Sequence, residues 1–492
     1  MDIGYDVDDP RKNISAPVLL QEYRGDVIRH AIRIFEEKGI SLSCLLDWQK
    51  TQDIIYPWYG EYGTERLGYN RFHQSYPLAI IKAKHISEIK WALTKCIDLG
   101  IKFSIRSGGH DHTGLSLSDG IIICLANRNH VIIGKDSVDI GTGARFGQLD
   151  MILSNYGTYT AIHGTCSNVS NGLVLGGGFG LYTRKYGLSC DNLISANILL
   201  ANGKHVTCDK NNYSDLFWAL RGAGACSFGI VTDLKLKYYE IGEITLYEFN
   251  YSSDQLQHII DKWQRFAPYA PDDLASKMVI TPLSQKNEYP ITIKGQYLGS
   301  KANLELLLRP FKRECKKWKI WSSTVVDASI YHNESSASPS WYFFYQSMLV
   351  VEPLNKQLIN IIYEYMLTAP EEHCMIINAL GGKFSKINSC DTAFPWRNSI
   401  LWIHLLSDTK RHSDYDDMRN KVNETYNDLL NNGLRNKDTG VGRLYTNFRD
   451  IGLSNKHYPL AYWGKDNYKR LQLIKRKYDP NNVFSHKQGI TL

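Results

Sequence analysis

"GTCSNVSNGLVLGGGFGLYTRKYGLSCDN", residues 164–192, carries three consecutive glycines, Gly176 to Gly178, in a run of small and apolar residues. Adjacent glycines let backbone N–H groups face one way and approach a ligand closely. The run invites a dinucleotide-binding reading, but a GxGxxG fingerprint needs its third glycine five residues after the first. Counted from Gly176 that place is Leu181; from Gly178 it is Thr183, from Gly141 Phe146, and from Gly222 Ser227. No GxxxxGK[ST] occurs either. The chain therefore has backbone suited to a phosphate without either common nucleotide fingerprint.

A second glycine loop lies upstream, "IRSGGHDHTGLS", residues 105–116. It follows "IKFS", where Ile101, Phe103 and Ile105 alternate as in a half-buried strand. One loop ends in His110 after Gly108 and Gly109; the other opens with Gly164, Thr165 and Cys166. On residue type alone, one histidine and one cysteine are more often packing than chemistry, and neither has metal-ligand spacing. The ten cysteines include no CxxC, which argues against a zinc ribbon or finger.

The 492 residues exceed what one core usually supports, so two domains are expected. Aromatic residues make up 12%, with 31 tyrosines, a content that suits enclosing a ring-shaped ligand, though composition alone slightly favours an aromatic core. The net charge of +7 comes from scattered lysines and arginines, so neither nucleic acid nor a membrane surface is an expected partner. No apolar run is long enough to span a bilayer. The acidic start, "MDIGYDVDDPRKN", lacks an apolar signal core, so a cytoplasmic or otherwise non-secreted protein with free thiols is expected.

Along the chain, "DVIRHAIRIFEE" reads as helix and "YPWYGEYGTERLGYN" as an aromatic loop or arm. A compact α/β pattern starts near Tyr76. "SEIKWALTKCIDLG" predicts a helix with Ser87 as N-cap, an apolar stripe of Ile89, Ala92, Leu93 and Cys96, and Gly100 as its stop. "IIICL" and "SVDIGTGA" read as strands, and "ANILLANGKHVTCD" as a hairpin with Asn202-Gly203 as a two-residue turn. After about Lys237 glycine thins out. Amphipathic helices at "DQLQHIIDKWQRFA", around Asn355 to Met366, and at roughly Tyr415 to Leu430 alternate with strand-like "ITLYEFNY", "ITIKGQYLG" and "SILWIHLL". The tail reads as helix up to Asp479-Pro480.

"RSGGH" after a strand, "GTC..V..G....GGGFG...RKYGL..DN", and the terminal "YWG..NY.RL...K.KYDPNNVF" together resemble the berberine bridge enzyme-like family. That family belongs to the vanillyl-alcohol oxidase/p-cresol methylhydroxylase flavoprotein superfamily, and the resemblance covers roughly residues 73–237 and 441–489. It implies an α+β fold: a two-piece FAD-binding domain of the p-cresol methylhydroxylase type, with an inserted substrate domain of antiparallel sheet plus helices. The expected divisions are an N-terminal arm at 1–72, the FAD domain at 73–237, the substrate domain at 238–440 and the return segment at 441–492.

The resemblance also implies covalent FAD, with His110 bonded to the flavin 8α-methyl and Cys166 to C6. The loop from Arg106 through Ser107, Gly108 and Gly109, next to Asp111, would cradle the pyrophosphate. Gly143, Gly164, Thr165, Gly172, Gly176, Gly177, Tyr186, Gly187, Ile230, Val231 and Asn447 fall in matched flavin-contacting segments. Tyr445 of "LYTNFRD" falls where the family often has its base. A free tyrosine titrates near 10, so it needs a lowered pKa or a transfer concerted with hydride loss. Val169 takes a place where a small side chain accompanies oxygen access. The expected activity is oxidation of an alcohol on a small molecule, a sugar or a secondary metabolite, with O2 reduced to H2O2. A dehydrogenase reacting poorly with O2 and an inert FAD-binding scaffold stay open as alternatives. Relatives commonly have Ser-Tyr after the histidine; Asp111 and His112 stand there instead. His112 could bind substrate, assist Tyr445, or hold a neighbouring loop. Substrate identity and oligomeric state carry no signal.

Overall fold

A computed structural model describes residues 16–283, 287–333 and 342–492, with side chains of the first helix from residue 24 onward. The acidic start at 1–13 lies outside the described residues. Helix Ala16–Glu37 covers "DVIRHAIRIFEE"; helix Leu42–Thr51 and strand Ile54–Ile55 follow, and the aromatic arm after them contributes the short helix Tyr62–Glu65. Tyr56 and Tyr62 are wholly buried, so this arm is packed into the body.

Helix Ile86–Leu99 buries the expected stripe of Ile89, Ala92, Leu93 and Cys96, and Gly100 closes it in the left-handed region at φ 60°. Its start differs from the expectation. His85, not Ser87, is the N-cap, because the Glu88 carboxylate accepts from the Lys84 and His85 N–H groups, and those two bonds fix the first turn. The helix links Ala79–Lys82 to Phe103–Arg106, and both strands pair in parallel with Ile121–Cys124 between them. The "RSGGH" loop therefore leaves the carboxyl end of a parallel strand, the edge where open α/β sheets place ligands.

A second, antiparallel sheet is organised around the long strand Ile230–Glu240, which pairs with Ser137–Gly141 on one side and Leu193–Leu199 on the other. The hairpin Leu193–Leu199 to His205–Cys208 forms as read, but its turn is longer than two residues. Leu200 still donates to the Lys204 carbonyl, so Ala201, Asn202 and Gly203 make the loop, with Gly203 at φ 75°. The Asn202 side chain accepts from the Lys204 N–H, which favours the wider turn.

Among the described residues between 244 and 409, seven strands form one antiparallel sheet. Its order is Lys317–Ser323, Ile244–Tyr251, Ile291–Leu298, Leu274–Ile280, His373–Ala379, Leu401–Thr409 and Tyr342–Val350. Helices Leu256–Phe266, Lys356–Thr368 and Tyr415–Leu429 back it. Leu256, Ile259, Ile260 and Trp263 are all buried, and the Trp263 indole donates to Ser276 Oγ at 2.8 Å, locking helix to strand. This is the α+β architecture expected. Among the described residues no helix is long and apolar enough to cross a membrane.

The chain returns in helix Tyr458–Tyr478, broken at Gly464, whose φ is 67°. Beyond it "KYDPNNVF" forms a knot. Lys475 and Asp479 are wholly buried; Lys475 donates to Asp479, to the Ser227 carbonyl and to the Phe484 carbonyl at 2.6, 2.8 and 2.8 Å. Asp479 in turn accepts from the Val483 and Phe484 N–H groups.

Two buried arginines join the sheet to the glycine-rich half. Arg184 donates to the carbonyls of Pro268, Ala270, Leu274 and Leu380. Arg397 reaches back to grip Asp191 with two bonds of 2.8 and 2.7 Å. Breaking a buried pair from one side strands the other charge and costs about 3–5 kcal/mol. Arg397→Leu should therefore lower unfolding stability by that order in urea titration, and a loss below about 1 kcal/mol would show that the pair does not hold the sheet in place.

Candidate active site

The loop after Phe103–Arg106 and the loop at 164–172 form facing walls of one cavity of about 670 Å³, closed above by the seven-stranded sheet. Gly108 lies against Ser170, where a Cβ would fall 2.6 Å from its Oγ; Gly109 has φ 72°. Ser170 Oγ also donates to Ser107 Oγ at 3.0 Å, tying one loop to the other. Asp111 turns back into its own loop, accepting from Thr113 Oγ1 at 2.9 Å and the Ser116 N–H at 3.2 Å.

His110 and Cys166 meet on this wall, with Nδ1 3.9 Å from Sγ. The Tyr69 ring stacks on the His110 imidazole at 4.1 Å between centroids. Burial, with the Arg145 charge adding to it, pushes His110 down to about 4, so its imidazole is neutral at ordinary pH. A neutral imidazole and a thiol side by side are two nucleophiles presented to one ligand edge.

Gly164, Thr165, Val169, Gly172, Tyr445 and Asn447 also line the cavity. Tyr445 is fully buried, and its hydroxyl oxygen accepts from the Gly178 N–H at 2.7 Å and from Asn447 Nδ2 at 2.6 Å. Burial pushes this phenol well above its ordinary value, and the two donors only partly offset it. A lowered pKa, one of the two routes expected for Tyr445, is therefore not what these protein groups provide by themselves.

Other residues singled out in the sequence stand behind the wall. Gly176 leaves room for the Asn447 amide, and Gly177, at φ 136°, packs on the Tyr445 ring. The Arg106 guanidinium turns away to the Glu65 carbonyl at 2.6 Å. Gly143 backs on the Leu125 and Ala126 carbonyls, and Gly187 on Asp191. Tyr186 stacks on Tyr239 at 4.0 Å, and Ile230 and Val231 are buried where their strand begins.

His112 lines the cavity among rings: Phe343 at 4.7 Å, Tyr345 and Phe448 at 5.3 Å, and Tyr69 at 5.4 Å. Burial, then the neighbouring His110 and His73, push it down to about 3. Its backbone carbonyl accepts from Asn70 Nδ2, which also donates to Phe343, so the loop is strapped to the sheet at this point.

The sheet wall went unread as a site. Trp402, His404, Leu406 and Asp408 all face the cavity from strand Leu401–Thr409, joined by Asn378 and Phe343. Their spacing by two was the available signal, since alternate residues share a face. Burial and the nearby Glu372 raise Asp408 to about 6.

An FAD binding domain family matches residues 77–209, and a "berberine and berberine like" family matches residues 444–491. These matches support a berberine bridge enzyme-like FAD-linked oxidoreductase. An FAD-linked oxidoreductase of Bacillus subtilis is 29% identical over 87% of this chain and 94% of its own. A chitooligosaccharide oxidase of Gibberella zeae is 29% identical over 84% of this chain and 87% of its own. The solved structure of a glucooligosaccharide oxidase from Acremonium strictum, with a 6-S-cysteinyl, 8α-N1-histidyl FAD, superposes with TM-score 0.80. It is 22% identical and covers 91% of this chain and 98% of that one, a likeness of fold. This oxidoreductase thus has FAD as its cofactor and small molecules as the substrates of its relatives.

The buried histidines of this oxidoreductase set a pH dependence. His112 and His486 both line the cavity and are both depressed by burial, to about 3 and 4. Unfolded, each titrates near 6.5, so between about 6.5 and 4 the unfolded chain binds more protons and stability falls as pH falls. Each contributes about 1.4 kcal/mol per pH unit in that window. Thermal melts from pH 7 to pH 5 should show the fall, and His112→Gln should flatten it; an unchanged slope would mean His112 protonates freely in the folded state.

Proposed function

We propose that this enzyme is an oxidase holding FAD through both His110 and Cys166, that it removes hydride from an alcohol carbon of a sugar, and that O2 takes the electrons to give H2O2. The observation that carries the reading is the 3.9 Å approach of His110 Nδ1 to Cys166 Sγ on one cavity wall. The donor set fits the cofactor: imidazole and thiol are the side chains able to bond an oxidised flavin's electrophilic edge, and the imidazole is neutral. Bound there, the flavin supplies a two-electron acceptor.

The chain's own groups do the rest. Stacking by Tyr69 fixes the plane of the His110 ring. The Gly178 N–H and the Asn447 amide aim at the Tyr445 oxygen, the position where negative charge appears when that hydroxyl has lost its proton. Having given its own phenolic proton to solvent, Tyr445 as phenolate would take the substrate hydroxyl proton as hydride departs, the two donors offsetting part of the burial that disfavours that charge. Val169, with its N–H 3.3 Å from the Cys166 carbonyl, keeps that side of the wall small and apolar, in keeping with access for O2.

A sugar is favoured over a secondary metabolite by the roof. The Trp402 and Phe343 faces alternate with the Asn378, His404 and Asp408 polar groups, an arrangement that stacks on a ring and hydrogen-bonds its hydroxyls. The oligosaccharide oxidases among the relatives agree with that choice.

Intact mass of the denatured, desalted protein should show one FAD added, with tryptic peptides placing it on both His110 and Cys166. Flavin on His110 alone would remove Cys166 from the attachment; none on either would overturn the reading. With an active sugar identified by peroxide release, Tyr445→Phe should slow anaerobic flavin reduction by about 100- to 10,000-fold, and reduction at the wild-type rate would take Tyr445 out of the chemistry.

A further inference from the structure

One buried ionic pair near the cavity is used by none of the steps above. Asp150, on helix Phe146–Ser154, and His163, three residues before Cys166, are both almost wholly buried. His163 Nε2 lies 2.8 Å from Asp150 Oδ1, and Nδ1 lies 2.7 Å from the Gly164 carbonyl. A ring with an acceptor at each nitrogen holds both protons, so His163 is an imidazolium facing the carboxylate. The Phe146 ring lies flat on it, 4.8 Å away at 7°.

The pair reaches in two further directions. Asp150 Oδ2 accepts from Ser329 Oγ at 2.8 Å, and Ser329 belongs to helix Val325–His332, directly after sheet strand Lys317–Ser323. Downstream of Cys166, the Phe146 and Gly147 N–H groups hold the Val169 and Ser167 carbonyls at 3.0 and 2.9 Å, and Asn333 Nδ2 donates to Ser167 Oγ at 2.9 Å. The segment bearing Cys166 is thus gripped on both sides, each grip shared between helix Phe146–Ser154 and the helix of the sheet half. Burying two charges gains little stability over an apolar pair of similar volume. A directional pair is useful where a position must be fixed.

We propose that the Asp150–His163 pair, tied across to Ser329, is a positioning device that holds Cys166 for sulfur attachment, and that the sulfur bond forms efficiently only when the sheet half is seated. The proposal rests on the doubly attached flavin proposed above. The attachment balances as a thiol and a flavin ring C–H giving a thioether, with O2 taking both hydrogens and two electrons to leave H2O2.

The test uses full-length protein supplied with FAD, with flavin peptides mapped over time and melting temperature recorded in parallel. Misplacing a reacting group by about 1 Å costs about 100-fold in rate. His163→Gln and Ser329→Ala should therefore gain the Cys166 bond about 100-fold more slowly while keeping the His110 bond. The midpoint potential of the resulting singly attached enzyme should match that of Cys166→Ala, and Ser329→Thr should restore the double bond. Should His163→Gln fail to fold, Ser329→Ala decides alone, since it removes one hydrogen bond and keeps the ion pair. Attachment to Cys166 at the wild-type rate in Ser329→Ala, with its fold intact, would overturn the device. Wild-type protein attached at His110 only would instead overturn the doubly attached reading, and the device with it.

Discussion

The guanidinium of Arg184 is the constraint on which the arrangement of the cavity depends. It sits in the glycine-rich segment, inside the protein, and its hydrogen-bond acceptors are backbone carbonyls from 268 to 274 and from Leu380. Burial pulls its pKa down to about 10, so it stays charged at neutral pH. A buried cation needs its full set of acceptors, and those carbonyls come together only when the sheet is seated over the loop. Gly381 is part of the same requirement: at φ 102° it lies against the Arg184 guanidinium and the Pro268 carbonyl, where no side chain has room. Arg397, reaching the opposite way to Asp191, makes the fixation mutual. The cavity roof is therefore held by charges owned by the two halves reciprocally, with apolar packing filling in around them.

This explains which parts of the protein were legible in sequence. Periodicity reports the immediate environment of a residue, so the helix at 86–99, the stripe of Leu256, Ile259, Ile260 and Trp263, and three of the sheet's strands, Ile244–Tyr251, Ile291–Leu298 and Leu401–Thr409, could be read directly, while its other four went unread. The cap was misread because Ser87 is the better residue type by rule, whereas Glu88 supplies two bonds that make His85 the boundary. Parity along Leu401–Thr409 separates two faces but does not say which one looks into a cavity, so Trp402, His404 and Asp408 stayed ordinary strand residues. Tyr69 was invisible for a related reason. Nothing in "RLGYN" indicates that its ring will lie on a histidine 41 positions later; that contact is a product of the strap from Asn70 to Phe343.

The site residues divide along the same line. His110, Cys166 and Tyr445 were found through motif resemblance, and the structure brings all three to one cavity. The motif does not carry their protonation state. Low dielectric acts on both ionisable types in the same sense, favouring whichever form is neutral: the imidazole of His110 loses its proton readily and the phenol of Tyr445 keeps its own. For the bond to carbon proposed for His110, neutrality would be an advantage, because an imidazolium has no lone pair to offer. For a group that must accept a proton it is an obstacle.

The obstacle and the advantage both come from burial around one cavity. A standing charge on Tyr445 before substrate arrives would need water or a cation beside it. Its bonded partners are instead an amide N–H and a carboxamide, dipoles that stabilise a charge only partly. A base at this position would have to be the phenolate, and those two dipoles would offset part of its cost. The reciprocal arginines that seat the sheet are thus what sets the dielectric under which the tyrosine must work.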